Sequence, residues 1–398
     1  MTFDADHERG GFAFADHLDV GVRPVTKPIM SARVLAAAVL VVMVLVATPA
    51  LIGRRPATTP RYGVAGNGLI AWAIDGDIVA GDPAAGTTGP LIAGPGVDRN
   101  PLFSRDGSRL AFLRQLPTDQ ERFDLYVSGA DGSDQVMVST MPMAMPAAVE
   151  WAPDGDSLLV NDRDGGLFRY SIHGSPPRLL VDGVQLDTGA TRPPDGADLL
   201  FERAAEPGTL YVMAWDGSRR RELVGTTAGP CSCVVAGPAH WSPDGRWIAF
   251  ALRLDPDESR VFVLGSDGSG LRRLTNETGP WIEDDPTWSP VGDRIAFNRW
   301  QRDAAGSWQA RPIGLVAASG GPVETVGIAP AKEGALIEWS PDGRAILSLS
   351  KTLIDAYTSY PNGSGSVARP VIIDVANGSS RQLDWSVGSI ASWQRRAP

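Results

Sequence analysis

The sequence predicts an all-β fold: a seven-bladed β-propeller of four-stranded blades, closed by its C-terminal strand and preceded by one N-terminal transmembrane helix. Three observations predict it. A short phrase recurs along the chain: an aromatic, a small residue, Pro, Asp and Gly, followed by an apolar run. A second series of turn glycines alternates with that phrase. An uncharged apolar run at 34–53 stands ahead of both.

The phrase is clearest at Trp241–Ser242–Pro243–Asp244–Gly245, Trp288–Ser289–Pro290–Val291–Gly292 and Trp339–Ser340–Pro341–Asp342–Gly343. Weaker copies run from Phe103 to Gly107, Trp151 to Gly155 and Arg192 to Gly196. A period of roughly 40–50 residues made of short strands is the signature of a propeller. Each copy reads as strand, tight turn, strand. Pro presets φ at the first corner, Asp bonds back to nearby N–H groups, and Gly accepts the positive φ of the reversal. The runs that follow, such as Trp247–Ile248–Ala249–Phe250 and Arg294–Ile295–Ala296–Phe297, have strand length and composition.

The second series is Gly86, Gly132, Gly174, Gly217, Gly268, Gly320 and Gly378, in contexts such as Asp131–Gly132–Ser133 and Asp267–Gly268–Ser269. Asp-Gly between strands is a strong hairpin signal. A unit is therefore strand A, the Pro-Asp-Gly turn, strand B, a variable loop, strand C, the Gly turn and strand D. In the fifth unit these fall near 238–242, 246–252, 259–265 and 270–275. The glycine series has one member more than the phrase series. The missing strand A belongs to the first unit, which begins at strand B with Gly68–Leu69–Ile70. The C-terminus holds an orphan strand A around Trp393. A ring closed between these two leaves no exposed sheet edge there.

From about residue 67 to the end, the phrase resembles the TolB-type propeller repeat, a relative of WD-repeat propellers. Arg192 stands for the aromatic in the fourth unit, Arg105 for Pro in the second and Val291 for Asp in the sixth. TolB itself looks like a six-bladed propeller with an additional domain, so the resemblance carries the propeller alone. The motif tryptophans read as packing between blades.

Net charge is −10 and the sequence pI is about 5.0. An acidic chain excludes nucleic acid as the expected partner. The run 34–53 has the length of a membrane-spanning helix. A cleaved signal peptide is the rival reading, set against the 33 residues ahead of the run and the acids among them. A start at Met30 would restore a normal signal-peptide head. Basic residues flank the run on both sides, Arg23, Lys27 and Arg33 against Arg54, Arg55 and Arg61, so charge alone sets no orientation. The TolB-type resemblance implies an extracytoplasmic propeller. The expected layout is a cytoplasmic tail at 1–33, the span at 34–53, a linker at 54–66 and the propeller at 67–398, held at the cell membrane as a single-pass protein.

Chemistry-bearing residues are few. Cys231 and Cys233 with His240 offer at most three ligands to a soft metal, and a structural zinc site wants four. A Cys231–Cys233 disulfide and a reduced pair are the other readings. No catalytic residue, metal or cofactor is expected. The position before the motif aromatic carries Glu150, His240 and Glu338 in three copies and Leu102, Thr287 and Ser392 in the others; of these the first three, with Asp98 and Asp285 just before Pro101 and Pro286, are the candidates. On innermost strands these five residues would line the central mouth and serve as the binding site. The bland alternative is that they satisfy backbone N–H groups between blades. The expected function is a non-catalytic binding or scaffold module for a protein or envelope component. The alternative is a propeller hydrolase or metal-dependent enzyme using the central channel.

Overall fold

The computed structural model describes residues 64–397, except 140–142, 145–147, 162–165, 183, 186–197, 204–205, 216, 226–233, 328–334, 351–368 and 389–390. The segment 34–53 and the pair Cys231 and Cys233 lie outside the described residues. The described residues contain strands and turns and no helix, and no helix among them is long and apolar enough to cross a membrane.

Seven antiparallel sheets form, one per unit. Each is built on the expected order A–B–C–D, with strand A at one edge. Strand A is Ser392–Arg396 in blade 1 and Asp98–Phe103 in blade 2. It is Ala148–Trp151 in blade 3, Val184–Gln185 in blade 4, Trp281–Trp288 in blade 6 and Ala335–Trp339 in blade 7. In blade 5 it is split into Val234–Val235 and His240–Trp241, both paired with strand B, Trp247–Asp255. Strands C and D of that blade are Glu258–Gly265 and Arg272–Arg273. Two further short strands, Met143–Ala144 and Trp308–Ala310, extend the sheets of blades 2 and 6.

The ring closes as expected. The C-terminal strand pairs with Gly66–Ile74, placing Trp393 opposite Ile70 and Ser392 opposite Ala71. The start of the described chain then crosses the turn of blade 7: the Ala65 N–H donates to Pro341 O at 2.8 Å and Asn67 Oδ1 accepts from the Asp342 N–H at 3.1 Å. The described turn glycines of both series have positive φ. At Gly107 (φ 69°) a Cβ would lie 1.9 Å from Arg395 O, so the turn of blade 2 closes against the C-terminal strand only because the residue is glycine.

Each interface between neighbouring blades is an apolar core, as an array of units that cannot fold alone requires. Ile70, Trp72, Leu347, Leu349 and Trp385 join blades 7 and 1, and Ala71, Ile78, Phe103 and Phe112 join blades 1 and 2. Blades 2 and 3, blades 3 to 5, blades 5 and 6, and blades 6 and 7 are joined likewise. The motif tryptophans 151, 241, 288, 339 and 393 are all buried in these cores.

Antiparallel strands place the A–B and C–D turns on one face of the ring, here the turn face. The B–C loops and the D–A connectors occupy the other, the connector face.

Candidate functional site

Neighbouring A strands meet across blades, which identifies them as the inner strands. Ser392 Oγ accepts the Phe103 N–H at 3.0 Å, and Glu338 Oε1 accepts the Trp393 N–H at 2.9 Å. Both side chains occupy the position before the motif aromatic and bind the aromatic N–H of the next blade. Here the polar groups satisfy backbone between blades. The Trp indoles repeat the theme: Trp151, Trp288 and Trp339 donate Nε1–H to the carbonyls of Leu102, His240 and Thr287, at 3.0, 3.1 and 3.2 Å.

The structure sorts the five expected site residues into two levels. Glu150, His240 and Glu338 share one register position, opposite Leu159, Ala249 and Leu347, near the turn face. Glu150 is ion-paired with Arg105, the residue that replaces Pro in the turn of blade 2. Glu338 retains some accessible surface, but the surrounding protein excludes most water, and burial pushes its carboxyl up to about 7. Asp98 and Asp285 lie nearer the connector face and are not equivalent to each other. Asp285 sits in a bulge before Pro286 with φ 49°, matching Asn100 before Pro101 with φ 51°. The counterpart of Asp98 is Glu283, which sequence reasoning passed over. Asp98 pairs in register with Arg114, and Glu283 with Arg299. The signal was present: both acids stand three residues before the proline.

The two acid–arginine pairs differ in geometry. Arg114 closes on Asp98 through Nε to Oδ1 at 2.7 Å and Nη2 to Oδ2 at 2.9 Å, stacked 4.7 Å over Tyr126. Burial raises the Asp98 carboxyl, opposed by Arg114. In blade 6, Arg299 lies 3.9 Å over Trp281, but its Nε is 4.0 Å from Glu283 Oε1 and its guanidinium binds Glu277 instead. Glu283 is completely buried, and burial pushes its carboxyl up to about 7 despite Thr275 and Arg260 beside it.

A separate feature lies on the turn face. A cleft of about 560 Å³ opens between the turns of blades 5 and 6, walled by Pro243, Trp247, Trp288, Pro290, Val291 and the first described residue, Val64. Val291 is 58% exposed, Val64 46% and Trp247 37%. Val291 holds the place where other copies of the turn carry Asp. There the Asp takes the Ser hydroxyl and a backbone N–H, as Asp244 does with Ser242 Oγ at 2.6 Å and the Arg246 N–H at 3.1 Å. In blade 6, Asp293 takes over the Ser289 hydroxyl at 2.8 Å. Val291 is thereby relieved of the turn's internal work and presents an apolar side chain to the cleft. Among the described residues, no group of three or more His, Cys, Asp and Glu is placed to hold a metal ion.

No family model matches the chain. Among curated proteins it is 27% identical over 245 residues to an uncharacterized protein of Agrobacterium fabrum, a match covering 49% of this chain and 81% of that one. Its solved neighbours include TolB. The TolB of Acinetobacter baumannii aligns at TM-score 0.48 and 16% identity, over 72% of this chain and 66% of that one. A prolyl endopeptidase aligns at TM-score 0.56 and 13% identity, over 82% of this chain but only 50% of that one. At this identity the latter likeness is one of fold alone.

Proposed function

We propose that this chain is a non-catalytic binding module, tethered to the cell membrane by 34–53 with the propeller outside. It would grip a partner protein, or a protein component of the envelope, through the cleft between blades 5 and 6. One observation carries the reading: Val291 replaces a turn-capping Asp with an exposed apolar side chain, beside Trp247 and Val64. A cleft of this size accepts an apolar or aromatic side chain, with Asp244 and Arg272 at hand to orient polar atoms around it. The acids of the inner strands support a scaffold role, because Glu150, Glu338 and Asp98 are already bound to Arg105, the Trp393 N–H and Arg114 of the propeller itself.

The decisive experiment is co-precipitation of the full chain from membranes. Val291→Asp restores the residue of the other turns, so the fold is expected to survive while the partner is lost. Glu338→Gln is expected to keep the partner. Retention in Val291→Asp together with loss in Glu338→Gln would move the site to the central mouth. Hydrolytic turnover abolished by Glu338→Gln or Asp98→Asn would favour an enzyme of the channel instead. For the tether, protease added to intact spheroplasts should remove the propeller and spare the N-terminal tail. A mature chain beginning near Ala50 would mean a cleaved signal peptide.

A further inference from the structure

The connector from blade 5 to blade 6, residues 274–280, is held on the connector face by three arginines, two of them buried. Arg260, 1% exposed by its side chain, donates Nη1–H to Trp281 O and Nη2–H to Gly279 O, both at 2.6 Å. Arg273 donates Nε–H to Thr275 O at 2.6 Å. The third hold is Arg299, whose guanidinium binds the Glu277 carboxylate on the connector itself. Behind it lies Glu283, with Oε2 accepting from Thr275 Oγ1 and from the Val261 N–H. Its Oε1 is buried with no hydrogen-bond partner, as is the Nε of Arg299. Two acids therefore flank one guanidinium, and only the outer one is bound.

Blade 2 shows the other arrangement. Asp98 holds Arg114 bidentately in the same register position. The connector ahead of it, Ala93–Gly94–Pro95–Gly96–Val97, has no acid to compete. We propose that Glu283 and Glu277 compete for Arg299, so that ionisation of Glu283 draws the guanidinium inward, frees Glu277 and loosens the blade 5–6 connector, which Arg260 and Arg273 still hold.

The charged groups facing Glu283 come from each element around it: Arg260 and Glu258 on strand C of blade 5, Arg273 on its strand D, Glu277 on the connector and Arg299 on strand B of blade 6. Arg260 and Arg299 are both desolvated, which holds the Arg299 guanidinium down to about 10 and lowers that of Arg260. An ionised Glu283 would relieve that crowding of buried positive charge. The change falls near neutrality because burial has moved the Glu283 carboxyl to about 7. The connector lies on the connector face, so its loosening would alter that face with pH.

The test is hydrogen exchange of the full chain at about pH 6 and about pH 8.5, corrected for intrinsic rates. Protection of the 274–279 amides, of which the Leu274 N–H is bonded to Val261 O, is expected to fall several-fold at the higher pH in the wild type. Glu283→Gln is expected to keep the low-pH protection throughout. Glu277→Gln, a change at a half-buried residue outside the apolar cores, is expected to show low protection at both values. Equal wild-type protection at the two pH values would overturn the proposal. A pH dependence persisting in Glu277→Gln would overturn it even if Glu283→Gln failed to fold.

Discussion

Glu338 illustrates how one side chain serves two demands. Its Oε1 caps the N–H of Trp393 at the seam where the ring closes, yet its charge is poorly hydrated there. The native carboxyl binds its proton more firmly than the unfolded one, because its pKa is raised from 4.5 to about 7. The stability linked to this group is fully present below about pH 4.5 and is lost as pH rises through about 7. Gln keeps the accepting oxygen without the charge. Glu338→Gln is therefore expected to equal or exceed the wild type at about pH 8.5, by about 1–3 kcal/mol, and to lose that advantage at about pH 5. Urea unfolding at the two pH values checks this, and a variant less stable at the higher pH would contradict it. The role as a backbone cap was already an alternative reading of the sequence. The raised pKa was not legible, since it depends on which blades close around the residue.

In blades 3, 6 and 7 the motif tryptophan ties its inner strand to that of the preceding blade. Trp151 Nε1 donates to Leu102 O, Trp288 Nε1 to His240 O and Trp339 Nε1 to Thr287 O. Among the described residues, Trp393 Nε1 is buried and has no such acceptor. The two positions thus separate packing from hydrogen bonding. Trp151→Phe is expected to cost about 1–3 kcal/mol, from a lost bond and a small void. Trp393→Phe is expected to cost less, because it also removes an unsatisfied donor. Equal losses in chemical denaturation would mean that the repeated indole bond adds nothing. At the outer rim, an arginine at the start of strand D reaches the carbonyls of the next C–D turn. Arg221 binds Ser266 O at 2.7 Å, and Arg272 binds Ser319 O at 2.6 Å and Ala318 O at 2.9 Å. The phrase Gly-Ser followed by Arg is visible at Gly268 and Gly217, but its partners lie about one blade further along the chain and carry no side-chain signal, being carbonyls.

The whole molecule depends on a seam made from both ends of the propeller. Ile70, Trp72, Trp385 and Trp393 form one core across it, and Trp72 stacks on Trp385 at 5.1 Å. Removal of residues 388–398 would expose strand B of blade 1 along its inner edge and unroof that core. Such a truncation is expected to abolish cooperative folding or to lower the melting temperature by well over about 5 °C, with aggregation through the open edge. Unchanged thermal unfolding would show that the ring does not need its seam.

Blade number, strand order and closure were determined by the sequence alone. Turn glycines, Pro-Asp-Gly corners and apolar runs act within a few residues of one another, so their spacing records the fold directly. The departure at Val291 was equally visible, but not its meaning. Only the tertiary structure set it beside Trp247 and Val64, which lie 44 and 227 residues away in the chain, in one cleft. The same holds for the acids of the inner strands. Composition suggested one ring of five, whereas strand register divided them and matched Asp98 with Glu283 rather than Asp285. The bulge before the proline shifts the register by one residue, and register decides which side chains share a level. Whether a buried acid meets its arginine is then settled by the neighbouring blade, whose atoms no local pattern can place.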